Sequence, residues 1–369
     1  MVLSAYATVE GTRRYRERMV ARGVAPGHFR EDLGGLSLSS IGLGTYLGGH
    51  DAKTDALYLD AIKRALVSGC NVLDSAINYR CQRSERVIGQ ALGELHRDGA
   101  VARDEILVAT KGGFIPYDDA PPRDGDAYLQ KTFVKPGIIT TRDVVADCHC
   151  MTPAYLRHQL DASLANLGLS CVDVYCLHNP ETQLDHVSQS DFLTRMREAF
   201  TVLEGAAAQG KLRMYGTATW NGYRASLGSQ GHLSLERLAD LAREVGGKGH
   251  HFKVIQLPYN LGMPEALAQQ TQMLKGSKVS VLEAAKALDL YVMASATILQ
   301  GQLDGSLPDD VREVLGQDTD AQRSIQFVRS TPGLGTALVG MKQADHVRDN
   351  LAVAGRAPLA PDEFAKLFK

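Results

Sequence analysis

From residue 39 onward, short apolar runs alternate with stretches whose apolar positions recur at helical spacing. "SSIGLGTYL" (39–47) is apolar and punctuated by glycine, and "KTDALYLDAIKRALVSG" (53–69) has a helical period. "NVLDSAI" (71–77) reads as a strand and "SERVIGQALGELH" (84–96) as a helix. "EILVATKGG" (105–113) is again strand-like, and "TPAYLRHQLDASLANLG" (152–168) is helical, with Thr152 as N-cap and Pro153 at the first position. Strand candidates 172–180, 212–219, 252–260, 291–299 and 336–341 follow, interleaved with helical candidates 195–211, 233–246, 279–290, 321–331 and 344–355.

Near-continuous apolar strands separated by helices indicate an α/β protein whose parallel sheet is covered on both faces. Eight βα units close most simply into a (β/α)8 barrel of the TIM type. A doubly wound open sheet is the competing arrangement, but no G-x-G-x-x-G follows the first strand. Three segments break the rhythm. Residues 1–30 form a polar extension with one expected helix, leaving 31–369 as a single barrel domain. Residues 114–150 are a long insertion after the third strand, and residues 261–278 lengthen the loop after the sixth. Loops this long in a compact domain are usually functional lids or disordered, and a lid is the role expected of 114–150.

Composition narrows the classes further. At 369 residues and 44% hydrophobic, the chain can bury a large core, and its formal charge of −2 gives no electrostatic case for nucleic acid or an anionic membrane. No apolar stretch approaches the length of a membrane span. The opening "MVLSAYATVEGTRRYRERMV" does not read as a signal or transit peptide. Six scattered cysteines make no disulfide framework, which favours a reduced, cytoplasmic protein. "DCHC" (147–150) offers metal-ligand chemistry, but no second Cys/His pair follows at finger spacing, and no metal is expected.

Strand C-termini of a parallel barrel converge at one mouth, where catalytic residues sit. The second strand ends in Asp74 with Tyr79 in its loop, the third in Lys111, and the fourth in His178. Individually these read as a cap, a wall residue, a surface charge and a core histidine; on three adjacent strands they make a site. A phenol with a reference pKa near ~10 is a weak acid near neutrality. An ammonium at ~4 Å stabilises phenolate by roughly 4 kcal/mol at an effective dielectric of ~20, up to about three pKa units before desolvation opposes it. Asp74 can keep Lys111 charged, and His178 can donate to a substrate oxygen. A tuned phenol beside a donor suits reduction of a carbonyl.

At these residues the chain resembles the aldo-keto reductase family, whose Asp, Tyr, Lys and His tetrad sits on a (β/α)8 barrel. "DSAINY" is similar to the family's D-T-A-x-x-Y with Ser75 for Thr, "SERVIGQAL" to its S-E-x-x-x-G-x-A-L, and "IGLGTYLGG" to its opening G-x-G-T strand. The likeness covers about residues 37–355. It implies an NADPH-dependent oxidoreductase acting on an aldehyde or ketone, or in reverse on an alcohol or sugar, with Tyr79 as general acid/base and NADH as the lesser cofactor. It further implies cofactor contacts from Gly44, Thr45, Tyr46, Asp74, Thr219, Gln256, Ser295, Ile298, Gln300 and Gly301. "ALVGMKQADHVRDNLA" places Gly340, Met341, Lys342, His346 and Asn350 at the adenosine phosphate and adenine, with Lys342 selecting the 2′-phosphate. Two departures stand out: Ala218-Thr219 replaces Ser-Asn, and Ser295 stands where an aromatic ring stacks on nicotinamide. The substrate rim is expected from Tyr46, Tyr117, Trp220 and the insertion. The alternatives are a non-enzymatic NADP(H)-binding regulatory or sensing subunit of this fold, like the potassium-channel β subunits, and a (β/α)8 hydrolase or lyase, which the four residues suit less well.

Overall fold

The computed structural model describes residues 2–302, 305 and 307–368. A hairpin comes first among the strands, β1 (Phe29–Leu33) and β2 (Leu36–Ser39). The barrel strands begin with β3 (Ile41–Gly44), β4 (Val72–Asp74), β5 (Leu107–Gly112) and β6 (Val172–His178). They continue with β7 (Leu212–Ala218), β8 (Phe252–Pro258), β11 (Tyr291–Ser295) and β12 (Thr336–Gly340), after the small hairpin β9 (Gln272–Leu274) and β10 (Ser277–Val279). The eight are parallel and close in the order β11-β12-β3-β4-β5-β6-β7-β8. All eight expected strands are present, most of them trimmed where the chain turns into the mouth.

The helices are α1 (Val9–Val20), α2 (Ala52–Val67), α3 (Arg83–Arg97), α4 (Gly125–Leu129), α5 (Pro153–Leu167), α6 (Gln189–Ala208) and α7 (Leu235–Gly246). After them come α8 (Glu265–Ala268), α9 (Val281–Ala287), α10 (Asp309–Leu315), α11 (Asp320–Ser330), α12 (Ala344–Leu351) and α13 (Pro361–Phe364). Local chemistry sets their starts. Asp51 accepts from Thr54 N at 2.8 Å at the head of α2, and Ser280 with Glu283 forms a reciprocal cap on α9. α6 begins at Gln189, earlier than its apolar period suggested, because the Ser188 hydroxyl accepts from Asp191 N. α5 starts at Pro153 as expected, but the Thr152 hydroxyl caps nothing and faces Cys150 Sγ at 3.5 Å.

Other departures from the sequence reading have simple causes. Residues 29–39, which straddle the expected boundary between the 1–30 extension and the barrel, form a hairpin. "GG" at 34–35 supplies two successive positive φ values, 57° and 78°, which a two-residue hairpin turn requires. Residues 261–278 fold into α8 and the β9–β10 hairpin, and α10 adds a helix that the periodicity did not show.

The barrel interior is filled by Leu38, Val72, Leu107, Val174, Val254, Met293 and Leu338, so it is a core and not a channel. The hairpin closes its N-terminal end. There Arg103 and Asp173 form a buried ion pair at 2.7 Å, and Asp173 also accepts from Ala7 N at 2.6 Å and Val108 N at 2.7 Å. Removing one partner of such a pair costs ~3–5 kcal/mol. The N-terminal segment is thereby tied into the barrel base, and α1 adds buried Tyr15, whose hydroxyl donates to Leu66 O. No helix among the described residues is long and apolar enough to cross a membrane.

Candidate active site

β4, β5 and β6 are neighbours in register, with Asp74 opposite Ala109 and Lys111 opposite Cys176. Their C-terminal ends bring Asp74, Lys111 and His178 to one wall of the mouth. Tyr79 arrives from a tight turn in which Ser75 N donates to Ala109 O, Ile77 N to Lys111 O and Tyr79 N to Ala76 O. Three consecutive non-glycine residues after it, Arg80, Cys81 and Gln82, hold φ of 50°, 55° and 70°. Left-handed backbone of this kind costs ~1–3 kcal/mol per residue and persists only when its surroundings fix it. Here Arg80 donates from Nε to Gly49 O at 2.9 Å, and Arg80 and Arg83 both pair with Asp55.

The Lys111 ammonium donates to Asp74 Oδ2 at 2.8 Å, to Ser75 O at 2.7 Å and to Tyr79 OH at 3.4 Å. Asp74 Oδ1 accepts from Gln256 Nε2 at 2.8 Å, so both carboxylate oxygens are satisfied. Burial works against the charge on Lys111, yet the neighbouring Asp74 and Tyr79 outweigh it and raise its pKa. For Tyr79 the balance runs the other way. Burial pushes the phenol above its ordinary value, and Lys111 pulls it down by less. This corrects the expectation of an acidified phenol: Lys111 does lower it, but burial raises it further, and the short bonds of Lys111 go to Asp74 and Ser75. Tyr79 is therefore a protonated donor at neutral pH. His178 is held well below its ordinary pKa by burial and by Lys111, so its ring is neutral. The Tyr79 ring stands edge-on to His178 at 5.7 Å and to Tyr46 at 5.0 Å.

These groups open on a cavity of about 550 Å³. Among the residues expected at a cofactor, Gly44, Thr45, Tyr46, Asp74, Thr219, Gln256, Ser295, Ile298, Gln300 and Gly340 line it, together with Tyr79 and His178. Gly301, Met341, Lys342, His346 and Asn350 do not. The Met341 side chain is in the core and Asn350 is buried on α12, while His346 is exposed and Lys342 lies partly exposed beside Gly48. Thr219 Oγ1 is buried in the cavity wall with no partner, and Asn78 Oδ1 is likewise unpaired.

The insertion does not cover the mouth. Phe133 and Ile139 bury themselves against Tyr155 of α5, and Phe114 alone of residues 114–150 reaches the cavity. Tyr117 packs on Tyr128 at 5.4 Å and is not a rim residue, whereas Tyr46 and Trp220 are exposed at the opening as expected. Sequence reading also missed Glu181, whose Oε1 accepts from the amides of Trp220, Asn221 and Gly222 at 2.9, 3.1 and 3.3 Å and so fixes the loop that carries Trp220. "HNPE" held the signal, an acid three residues beyond His178. Among the described residues, no cluster of three or more His, Cys, Asp or Glu is placed to hold a metal ion. All six cysteines are free.

A closed (β/α)8 barrel with Asp, Lys, Tyr and His gathered at its C-terminal mouth defines the class of protein. The sequence profile of the aldo/keto reductase family matches residues 40–226, and the chain belongs to that family. It is 29% identical over 190 residues to an NADH-specific methylglyoxal reductase of Escherichia coli, covering 50% of this chain and 49% of that protein. To a 6-dehydroglucose reductase of Novosphingobium aromaticivorans it is 27% identical over 217 residues, 57% of each chain. The match thus spans about half the length of these curated relatives. An aldo/keto reductase from Klebsiella pneumoniae solved in complex with NADP and acetate has the same fold, with a TM-score of 0.62, 20% identity, and coverage of 92% of this chain and 94% of that one.

Proposed function

We propose that the protein is an NADPH-dependent oxidoreductase that reduces an aldehyde or ketone, or oxidises the corresponding alcohol or sugar. One observation carries this reading: a buried ammonium, Lys111, bridges Asp74 and the hydroxyl of Tyr79 at the wall of a cavity that His178 also faces. Tyr79 gives its proton to the carbonyl oxygen in reduction and takes it back in oxidation. Lys111 stabilises the phenolate left behind, and Asp74 holds Lys111 in place and charged. Neutral His178 donates a hydrogen bond that orients the same oxygen.

The far side of the cavity suits a nicotinamide. Nε2 of Gln256 is committed to Asp74, which leaves its carboxamide oxygen to accept from an amide, and the buried, unpartnered Thr219 Oγ1 needs a polar partner there. The bound cofactor supplies the hydride. Ser295 stands where an aromatic ring would stack, so this wall holds the nicotinamide chiefly by its amide. Lys342 lies just ahead of α12, whose N-terminal amides and dipole favour a phosphate. The preference for NADPH over NADH rests on that placement. Six free cysteines suit a reduced, cytoplasmic setting.

Titration with NADPH, followed by nicotinamide fluorescence, and then turnover on a panel of carbonyls test the reading. Binding with turnover is expected. Binding without turnover on any carbonyl or alcohol favours the regulatory alternative, and no binding removes both.

A further inference from the structure

We propose that His149, supplied by the 114–150 insertion, is the positioning residue for His178. The side chain is fully buried, and its Nε2 donates to the backbone carbonyl of His178 at 2.8 Å. Its Nδ1 faces Gln183 Nε2 at 2.7 Å, and the Gln183 carboxamide oxygen is held by Arg195 of α6. This chain of contacts fixes every proton. A carbonyl can only accept, so Nε2 of His149 carries hydrogen. Arg195 can only donate, so Gln183 turns its oxygen to Arg195 and its N–H to His149, and Nδ1 of His149 is bare. The ring is neutral, as burial also requires, with the pKa lowered to about 4.

His178 needs such a support. A functional histidine is commonly oriented by a hydrogen bond at its second ring nitrogen. Nδ1 of His178 is buried without any partner. Its ring is therefore held by packing and through its backbone. Asn179 N donates to Ala218 O at 2.6 Å on one side, and His149 grips the His178 carbonyl on the other. Phe114 stands edge-on to both imidazoles, with centroids 5.0 Å from each. The approach is close enough to exclude a side chain at Gly113, where φ is +137° and a Cβ would lie 2.8 Å from His149 Nε2 and 3.1 Å from His178 O. Cys150 N donates to Gly113 O and Ile115 N to Cys148 O, so "DCHC" is the strand-like segment that delivers His149 behind the site. The insertion acts from behind His178 and not from above the mouth.

This inference rests on the proposed reductase reading for its kinetic arm, and a second arm is independent of it. His149→Phe keeps a ring and removes both hydrogen bonds; His149→Gln keeps an amide N–H for the His178 carbonyl and an oxygen for Gln183. With a carbonyl that the wild type reduces, His149→Phe should lower kcat by about 10–100-fold, as a misplaced reacting group does, while NADPH affinity stays within twofold. His149→Gln should recover most of the loss. In ¹⁵N-labelled protein, the His178 ring resonances should move in His149→Phe and in Gln183→Leu, and stay near the wild-type positions in His149→Gln. A folded His149→Phe protein with unchanged kcat, or His178 resonances that ignore all three substitutions, overturns the proposal. Where the wild type reduces no carbonyl, the reductase reading fails and the resonances alone decide the role of His149.

Discussion

On the β4–β6 wall of the mouth, Asp74, Lys111 and Tyr79 satisfy one another at 2.8 to 3.4 Å, and Gln256 takes the last carboxylate oxygen. Across the cavity, Thr219 Oγ1 lies buried with no partner, and Ala296, Leu299 and Gln300 hold left-handed backbone at φ of 55°, 42° and 56°. The Asp74–Lys111–Tyr79 network is complete without a ligand, so its charges need no reorganisation when a substrate oxygen arrives. The second carries an unpartnered hydroxyl that a ligand could complete, and left-handed turns like those that follow Tyr79 on the first. On the proposed reading, the barrel alone sets the proton-transfer network, and the opposite wall is where a cofactor would bind.

The largest effect should come from breaking the complete wall. Tyr79→Phe removes a general acid and should cost ~10²–10⁴ in turnover, with NADPH affinity measured by fluorescence nearly unchanged. Lys111→Met should cut turnover as severely. It also leaves Asp74 buried beside an apolar neighbour, which should reduce stability in denaturant unfolding by ~3–5 kcal/mol. Asp74→Asn acts through Lys111 and should do less on both counts.

Changes on the incomplete wall should be smaller and should fall on binding. Lys342→Ala should weaken NADPH by ~1–3 kcal/mol, the range for a charge-assisted hydrogen bond, and leave NADH untouched; equal losses for both cofactors remove its assignment. Thr219→Val should weaken both cofactors by ~0.5–1.5 kcal/mol, the usual net value of a neutral hydrogen bond. Because Thr219 Oγ1 has no partner in the free protein, the same substitution should leave stability unchanged or raise it. A loss of stability with unaltered cofactor binding would place the Thr219 hydroxyl in the fold and not in the site.

The eight strands were legible because a parallel strand buried on both faces must be apolar throughout, and the four site residues because each ends or follows such a run. The N-terminal hairpin was missed: Gly34 and Gly35 are the pair that its turn demands, but an apolar-period reading passes over a strand as polar as "FRED". The acidity of Tyr79 could not be read from residue types. It depends first on how deeply the fold buries the phenol and then on how near Lys111 comes to it, and only the structure shows either. His149 was hidden for a similar reason. Chain pattern shows a histidine between cysteines, and only the fold shows that its partner is a backbone carbonyl 29 residues away.

The pH dependence of kcat/KM in both reaction directions tests the central claim that Tyr79 carries the proton, because it reports the ionisation of the free enzyme. On this account the protonated phenol is the acid for reduction, so reduction should be level through neutrality and fall only beyond the ordinary phenol range, since burial raises Tyr79 above it. The phenolate is the base for oxidation, so oxidation should rise with pH toward the same midpoint. Lys111→Met, by removing the neighbouring cation that pulls this value down, should move both midpoints upward. A midpoint near that of an ordinary histidine, or one that Lys111→Met leaves in place, contradicts the account and takes the proton from Tyr79.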